Sequence, residues 1–183
     1  MSVSDVLQDM EERFKKSMES ARADFATLRT GRANPAILDS VKVDYYGQQM
    51  PINQLGTVAV PEARQLVITP YDKATMGLIE KAIIKSDLGL TPNNDGQSIR
   101  INIPQLTEER RKEFVKQLHQ KTESARVALR NIRRDANEQF KRDEAVTDDE
   151  AKRAEKDVQK VLDKYIAELD SLQKSKEAEL LEV

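Results

Sequence analysis

Arg126, Arg130, Arg133 and Asn137 recur at steps of four, three and four. On an α-helix those steps bring all four side chains to one face, with Arg134 beside them. Like charges so placed repel by roughly a few tenths of a kcal/mol per pair in an isolated helix, so helix stability does not explain the pattern. A polyanionic partner does. A guanidinium offers a fixed fork of donors that matches phosphate oxygens, and several forks on a rigid helix can follow a nucleic-acid backbone with strongly salt-dependent affinity. RNA is the natural candidate. The competing reading pairs these arginines with an acidic neighbouring helix, and spacing alone leaves the two open. Arg29 and Arg32, further up the chain, would extend the same basic surface.

Other chemistry has little to stand on. The single histidine, His119, lies among Lys116, Gln117, Gln120 and Lys121, and reads as a solvated helix residue. With no cysteine in the chain it has no thiol to activate, and there is no second histidine to share a metal. No phosphate-binding glycine loop, serine elbow or zinc-helix signature occurs. Asp148, Asp149 and Glu150 are explained by a helix start, where acids are favourable, without acid/base work. An enzyme site within the middle, strand-rich part of the chain, which has neither histidine nor cysteine, would rest mainly on Glu62, Asp72 and Lys73. We therefore expect no catalytic residue, metal or cofactor. Tyr45 and Tyr46 could stack on bases, but an aromatic pair after an alternating strand reads first as part of a small core.

The elements that must position the arginines follow from periodicity. Leu7, Met10, Phe14, Met18, Ala21, Phe25 and Leu28 recur at helical steps, which predicts one amphipathic helix from about Ser4 to Thr30, stopped near Arg29 to Gly31 by Gly31, Asn34 and Pro35. Period-two patterns at Val41–Tyr45, Thr57–Val60, Gln65–Thr69 and Ile99–Ile103 then predict four short strands. A short helix between the last two carries Met76, Ile79 and Ile83, and Thr91 to Gly96 reads as a turn. After Pro104, Thr107 is placed to cap a second long helix with the stripe Phe114, Leu118, Ala125, Leu129, Ile132, Ala136 and Phe140. Thr147 to Glu150 forms a capping box opening a third, with Ala154, Val158, Val161, Tyr165, Leu169 and Leu172. Lys174 to Glu182 reads as its solvated last turns.

Three helices that each carry one apolar seam satisfy one another as a bundle. The fold expected is α+β but mainly α: an antiparallel three-helix bundle from residues 1–30 and 105–183, interrupted by a small β/α/β domain at 31–104. Both connections hold residues that do not propagate helix, so a hinge is expected at Thr30, Gly31, Pro35, Pro104 and Gln105, joining the parts into an elongated, L-shaped molecule.

Composition agrees with this picture. Charged residues make up 34% and aromatics 4% with no tryptophan, the balance of long solvated helices rather than a sandwich or barrel. The opening MSVSDVLQDMEERFKK has no apolar core and is not expected to be a signal peptide, and no stretch approaches membrane-spanning length. With no disulfide framework, the cytoplasm is the expected compartment. Net charge is only -2, but residues 107–142 hold eleven Lys/Arg against six Asp/Glu, whereas 143–183 hold seven against thirteen. The second helix is basic and the third acidic.

Several strings together resemble the ribosome recycling factors of bacteria. Leu28-Arg29-Thr30-Gly31-Arg32-Ala33-Asn34-Pro35 is similar to that family's first-helix exit and Val43-Asp44-Tyr45-Tyr46-Gly47 to its first strand. Glu80 to Ile83 and Ser86 to Leu90 resemble its inserted helix, and Leu106 to Lys112 with Arg126 to Asn137 its second long helix. The resemblance spans nearly the whole chain. It implies an L-shaped pair of domains, with the bundle on large-subunit ribosomal RNA and the second domain moved by elongation factor G, which uses GTP. Together they would dissociate the post-termination ribosome into subunits, with Arg133 as the central RNA contact and Arg130, Arg29 and Arg32 near it. The chain would act as a monomer and hydrolyse nothing. One departure is the segment Phe140 to Val146, about two residues shorter than in familiar enterobacterial members. The reading from another class is a helical adaptor or chaperone whose seams and charges serve protein partners.

Overall fold

The computed structural model describes residues 2–182, which divide into two compact units. One takes in the chain up to Arg29 together with Glu108–Glu182; the other is Thr30–Thr107. The fold class is the one expected: a bundle of three long helices, and a small antiparallel-sheet unit inserted between the first and second.

In the bundle, α1 spans Val3–Ala26, α4 Glu108–Arg142 and α5 Asp148–Leu181. Their starts are fixed by local chemistry. Ser2 caps α1, its hydroxyl accepting from the Asp5 N–H at 3.1 Å while the Asp5 carboxylate accepts from the Ser2 N–H at 3.0 Å. These bonds hold the Asp5 carboxyl below the usual carboxylate range. The expected capping box at Thr147 and Glu150 is present in the same reciprocal form. Cross-helix bonds give the directions. Arg13 to Asp135 at 3.0 Å and Lys121 to Asp24 at 2.7 Å run α1 against α4. Arg126 to Asp170 at 2.6 Å and Arg133 to Gln159 at 3.2 Å run α4 against α5. The three helices therefore pass up, down and up. Phe14 is fully buried and stacks on Tyr165 at 5.1 Å between centroids, at the centre of this core.

In the inserted unit, β1 (Lys42–Tyr45) and β2 (Gln48–Pro51) form a hairpin closed by Tyr46 and Gly47, both at positive φ. A one-turn helix α2 (Ile52–Leu55) leads into a four-stranded antiparallel sheet of order β3-β4-β6-β5, with β3 Gly56–Glu62, β4 Gln65–Pro70, β5 Pro92–Asn94 and β6 Ile99–Asn102. Leu66, Ile68, Ile99 and Ile101 point to one side and meet Ile79 and Ile83 of α3 (Met76–Lys85) in a second core. Gly56 is obligatory: a Cβ there would lie 2.5 Å from the Thr69 carbonyl oxygen. The chain enters and leaves this unit beside a single tight turn. The Ala33 N–H donates to the Ala63 carbonyl at 2.7 Å, and the Ile103 N–H to the Arg64 carbonyl at 2.8 Å.

Four expectations need correction. Helix α1 ends at Ala26, a turn early, because Thr27 caps it with both its backbone N–H and its hydroxyl on the Asp24 carbonyl. Gly31 consequently does not stop the helix and is not at positive φ; the glycines that are, among the described residues, are Gly47, Gly89 and Gly96. Among the described residues there are six strands, not four, since β2 is a polar hairpin partner without apolar alternation and β5 is a three-residue edge inside what read as a turn. The stretch from Lys174 is not merely solvated: Leu180 is fully buried in the bundle core.

Candidate nucleic-acid interface

The expected arginine face exists as helix, and its members are used in different ways. Arg126 turns into the seam with α5. Its guanidinium donates to Asp170 at 2.6 Å and to Glu123 at 3.2 Å, and its side chain is 28% exposed. The Asp170 hydrogen bond holds the guanidinium's pKa above its ordinary value against the opposing effect of burial. Arg130 stands 3.7 Å from the other oxygen of Glu123 and is solvent-facing. Arg133 donates to the Gln159 side-chain carbonyl at 3.2 Å, and Gln159 in turn donates to Asp163 at 2.9 Å. Gln159 is thereby held at both ends. Asn137 has its side-chain oxygen buried without a hydrogen-bond partner among the described residues.

Between α4 and α5 these residues border a groove of about 700 Å³. Six cations line it: Arg130, Arg133, Arg134 and Lys141 from α4, and Lys152 and Lys156 from α5. Two acids, Glu138 and Glu155, oppose them. A concave surface with that imbalance attracts a polyanion, and the low-dielectric helix walls focus the field. Sequence reasoning missed the two lysines. The net acidity of α5 concealed them, although Lys152, Lys156 and Gln159 are spaced four and three apart, the same helical signal that had flagged α4.

A model of the ribosome recycling factor family matches residues 21–181. Ribosome-recycling factor of Syntrophomonas wolfei is 55% identical over 99% of this chain and 100% of its own, and that of Bacillus subtilis is 53% identical over 98% of each. The chain belongs to the ribosome recycling factor family. Two solved structures agree in fold. A solution structure of the ribosome recycling factor matches with TM-score 0.82 and 44% identity, covering 100% of this chain and 99% of that one. Models of the Thermus thermophilus factor and the Escherichia coli elongation factor G, bound to the E. coli post-termination complex, match at TM-score 0.67 and 45% identity with full coverage of both chains.

The other residues singled out in this ribosome recycling factor family member fall as follows. Arg29 closes the bundle unit, while Arg32 belongs to the inserted unit. Thr30, Gly31, Pro104 and Gln105 lie at the ends of the inserted unit, outside any helix or strand. Pro35 opens a 3-10 helix that is capped by Asn34, whose side chain accepts from the Ala36 N–H. His119 is exposed, with its Nε2 at 3.3 Å from Glu177 and 3.4 Å from Gln173. Asp72 is a cap, accepting from the Ala74 N–H at 3.0 Å. Among the described residues no cluster of three or more His, Asp or Glu could hold a metal, and no helix is long and apolar enough to cross a membrane. Tyr45 packs on the sheet core, but Tyr46 is 83% exposed and is not core, because its left-handed backbone at the hairpin tip turns it outward.

Proposed function

We propose that this chain works in the cytoplasm as a non-enzymatic monomer that dissociates the post-termination ribosome into subunits, together with elongation factor G and the GTP which that partner consumes. The observation that carries this reading is the groove of six cations against two acids on a rigid two-helix wall. Phosphate contact needs charge held in place, not titrating groups, and the groove supplies donors without a general base. Arg133, Arg130, Arg134 and Asn137 would touch large-subunit ribosomal RNA, and Arg29 and Arg32 would add contacts near the junction of the units. Arg126 would serve mainly by holding α4 to α5.

The bundle, composed of long packed helices, would transmit force rather than bend. The inserted unit would move about Thr30, Gly31, Pro104 and Gln105, with Pro35 at the margin, when the partner factor acts. The test is sedimentation of post-termination ribosomes with this protein, elongation factor G and GTP at fixed salt. Wild type should yield separated subunits and Arg133→Ala should not. Ribosomes left intact by the wild type, with a cognate elongation factor present, would reject the reading.

A further inference from the structure

Helix α5 is acidic as a whole, yet the face it turns to the groove carries Lys152 and Lys156 one turn apart, with Glu155 as the acid among them. Their axial separation is about 6 Å at the α-helical rise. Opposite stand Arg130, Arg133 and Arg134. No side chain of Arg134, Lys141, Lys152 and Lys156 makes a hydrogen bond or ion pair to another described residue, although Arg126, farther along the same seam, is matched to Asp170 of α5. Six converging cations against only two acids, Glu138 and Glu155, are unfavourable in the isolated protein, and an anion from outside relieves the excess.

We propose that the RNA-binding surface is this interhelical groove and not a stripe on α4, with Lys152 and Lys156 forming a second wall that contacts the same phosphodiester backbone. The proposal rests on the reading that α4 faces ribosomal RNA, and deepens it. The two walls have different chemistry. The arginine forks of α4 set the direction of phosphate oxygens, and Arg133 is further fixed through Gln159 and Asp163. The lysines of α5 are compact, mobile charges that neutralise phosphate without dictating its orientation. A single RNA strand lying along the groove meets both.

The experiment measures binding to large ribosomal subunits across a salt series for wild type, the double variant Lys152→Ala/Lys156→Ala, and a control pair, Lys160→Ala/Lys174→Ala, with the same charge change on the same helix but outside the groove. The groove pair should weaken binding at least about tenfold and flatten the slope of log affinity against log salt by on the order of one, at about 0.7 per lost single-strand phosphate contact. Lys152→Arg/Lys156→Arg should restore both, and circular dichroism should show equal helix content in all variants. A photoreactive side chain placed at position 156 should crosslink to ribosomal RNA. If the groove pair binds no worse than the control pair while Arg133→Ala loses affinity, the second wall is rejected and the α4 reading stands. If Arg133→Ala also binds normally, both fall. Crosslinks solely to ribosomal protein would overturn the assignment to RNA.

Discussion

The α4–α5 seam has two halves that use the same residue types oppositely. Around Arg126 the charge is answered from within: Asp170 and Glu123 take the guanidinium, while Glu177 and Gln173 lie within hydrogen-bond reach of the His119 ring. Around Arg133 the facing residues of α5 are Gln159, Lys156, Lys152 and the single acid Glu155, and positive charge predominates. Two arginines seven residues apart on one helix face thus have different jobs. The residue across the seam decides which. In the first half an arginine is a strut between the helices; in the second it lines an open groove beside other cations.

That contrast can be broken most directly at Arg133. Charge-assisted hydrogen bonds contribute roughly 1.5–3 kcal/mol, so Arg133→Ala should weaken ribosome binding about 10- to 100-fold, with helix content unchanged by circular dichroism. A comparable loss from Arg126→Ala would erase the distinction between the halves. On the strut side, Asp170→Ala should lower folding stability by about 1 kcal/mol in urea, discounted for the partial exposure of the pair, and leave ribosome affinity within about twofold. A smaller effect should come from Gln159→Leu, which releases Arg133 without removing its charge. Affinity should fall a few-fold while urea stability moves by less than about 0.5 kcal/mol.

The smallest effect at neutral pH concerns the third side of the bundle, where the Tyr165 hydroxyl donates to Glu11 at 2.7 Å. Burial first, and then that carboxylate, push the Tyr165 hydroxyl up to about 12 from its ordinary 10. The folded state therefore favours the neutral phenol. Its contribution is complete below pH 10 and is lost as the pH rises through about 12. Urea denaturation from pH 9 upward should show this decline in wild type and a flatter profile in Tyr165→Phe. Equal profiles would place the alkaline sensitivity elsewhere.

Much of the fold was legible because three long segments repeat an apolar residue every three or four positions, and because Thr147 with Glu150 is a local signal that needs no tertiary context. What escaped depended on neighbours. Strand β2 exists because β1 pairs with it through the Tyr46-Gly47 turn, and its Gln48-Gln49-Met50 string has no pattern of its own. The end of α1 turned on the Thr27 hydroxyl reaching the Asp24 carbonyl in place of the more conspicuous Gly31. In the candidate site, the arginine face was readable from spacing. The separate use of Arg126 was not, because it depends on the register that sets Asp170 opposite. Lys152 and Lys156 were hidden by averaging, since the net charge of a helix says nothing about how that charge is divided between its faces.

The anchoring of both ends of the inserted unit to one turn, at Ala63 and Arg64, also bears on how the bundle assembles. Helices α1 and α4 must meet although roughly eighty residues separate them in the chain. If the inserted unit folds first, the ends it presents are already neighbours, and the bundle closes what is in effect a connection of about fourteen residues, 27–33, 63–64 and 103–107. Each halving of loop length recovers about 0.6 kcal/mol of closure entropy, so this shortcut is worth on the order of 1.5 kcal/mol. The interruption that makes the bundle discontinuous in sequence thereby acts as a clasp, converting a distant pairing into a local one and favouring fast assembly.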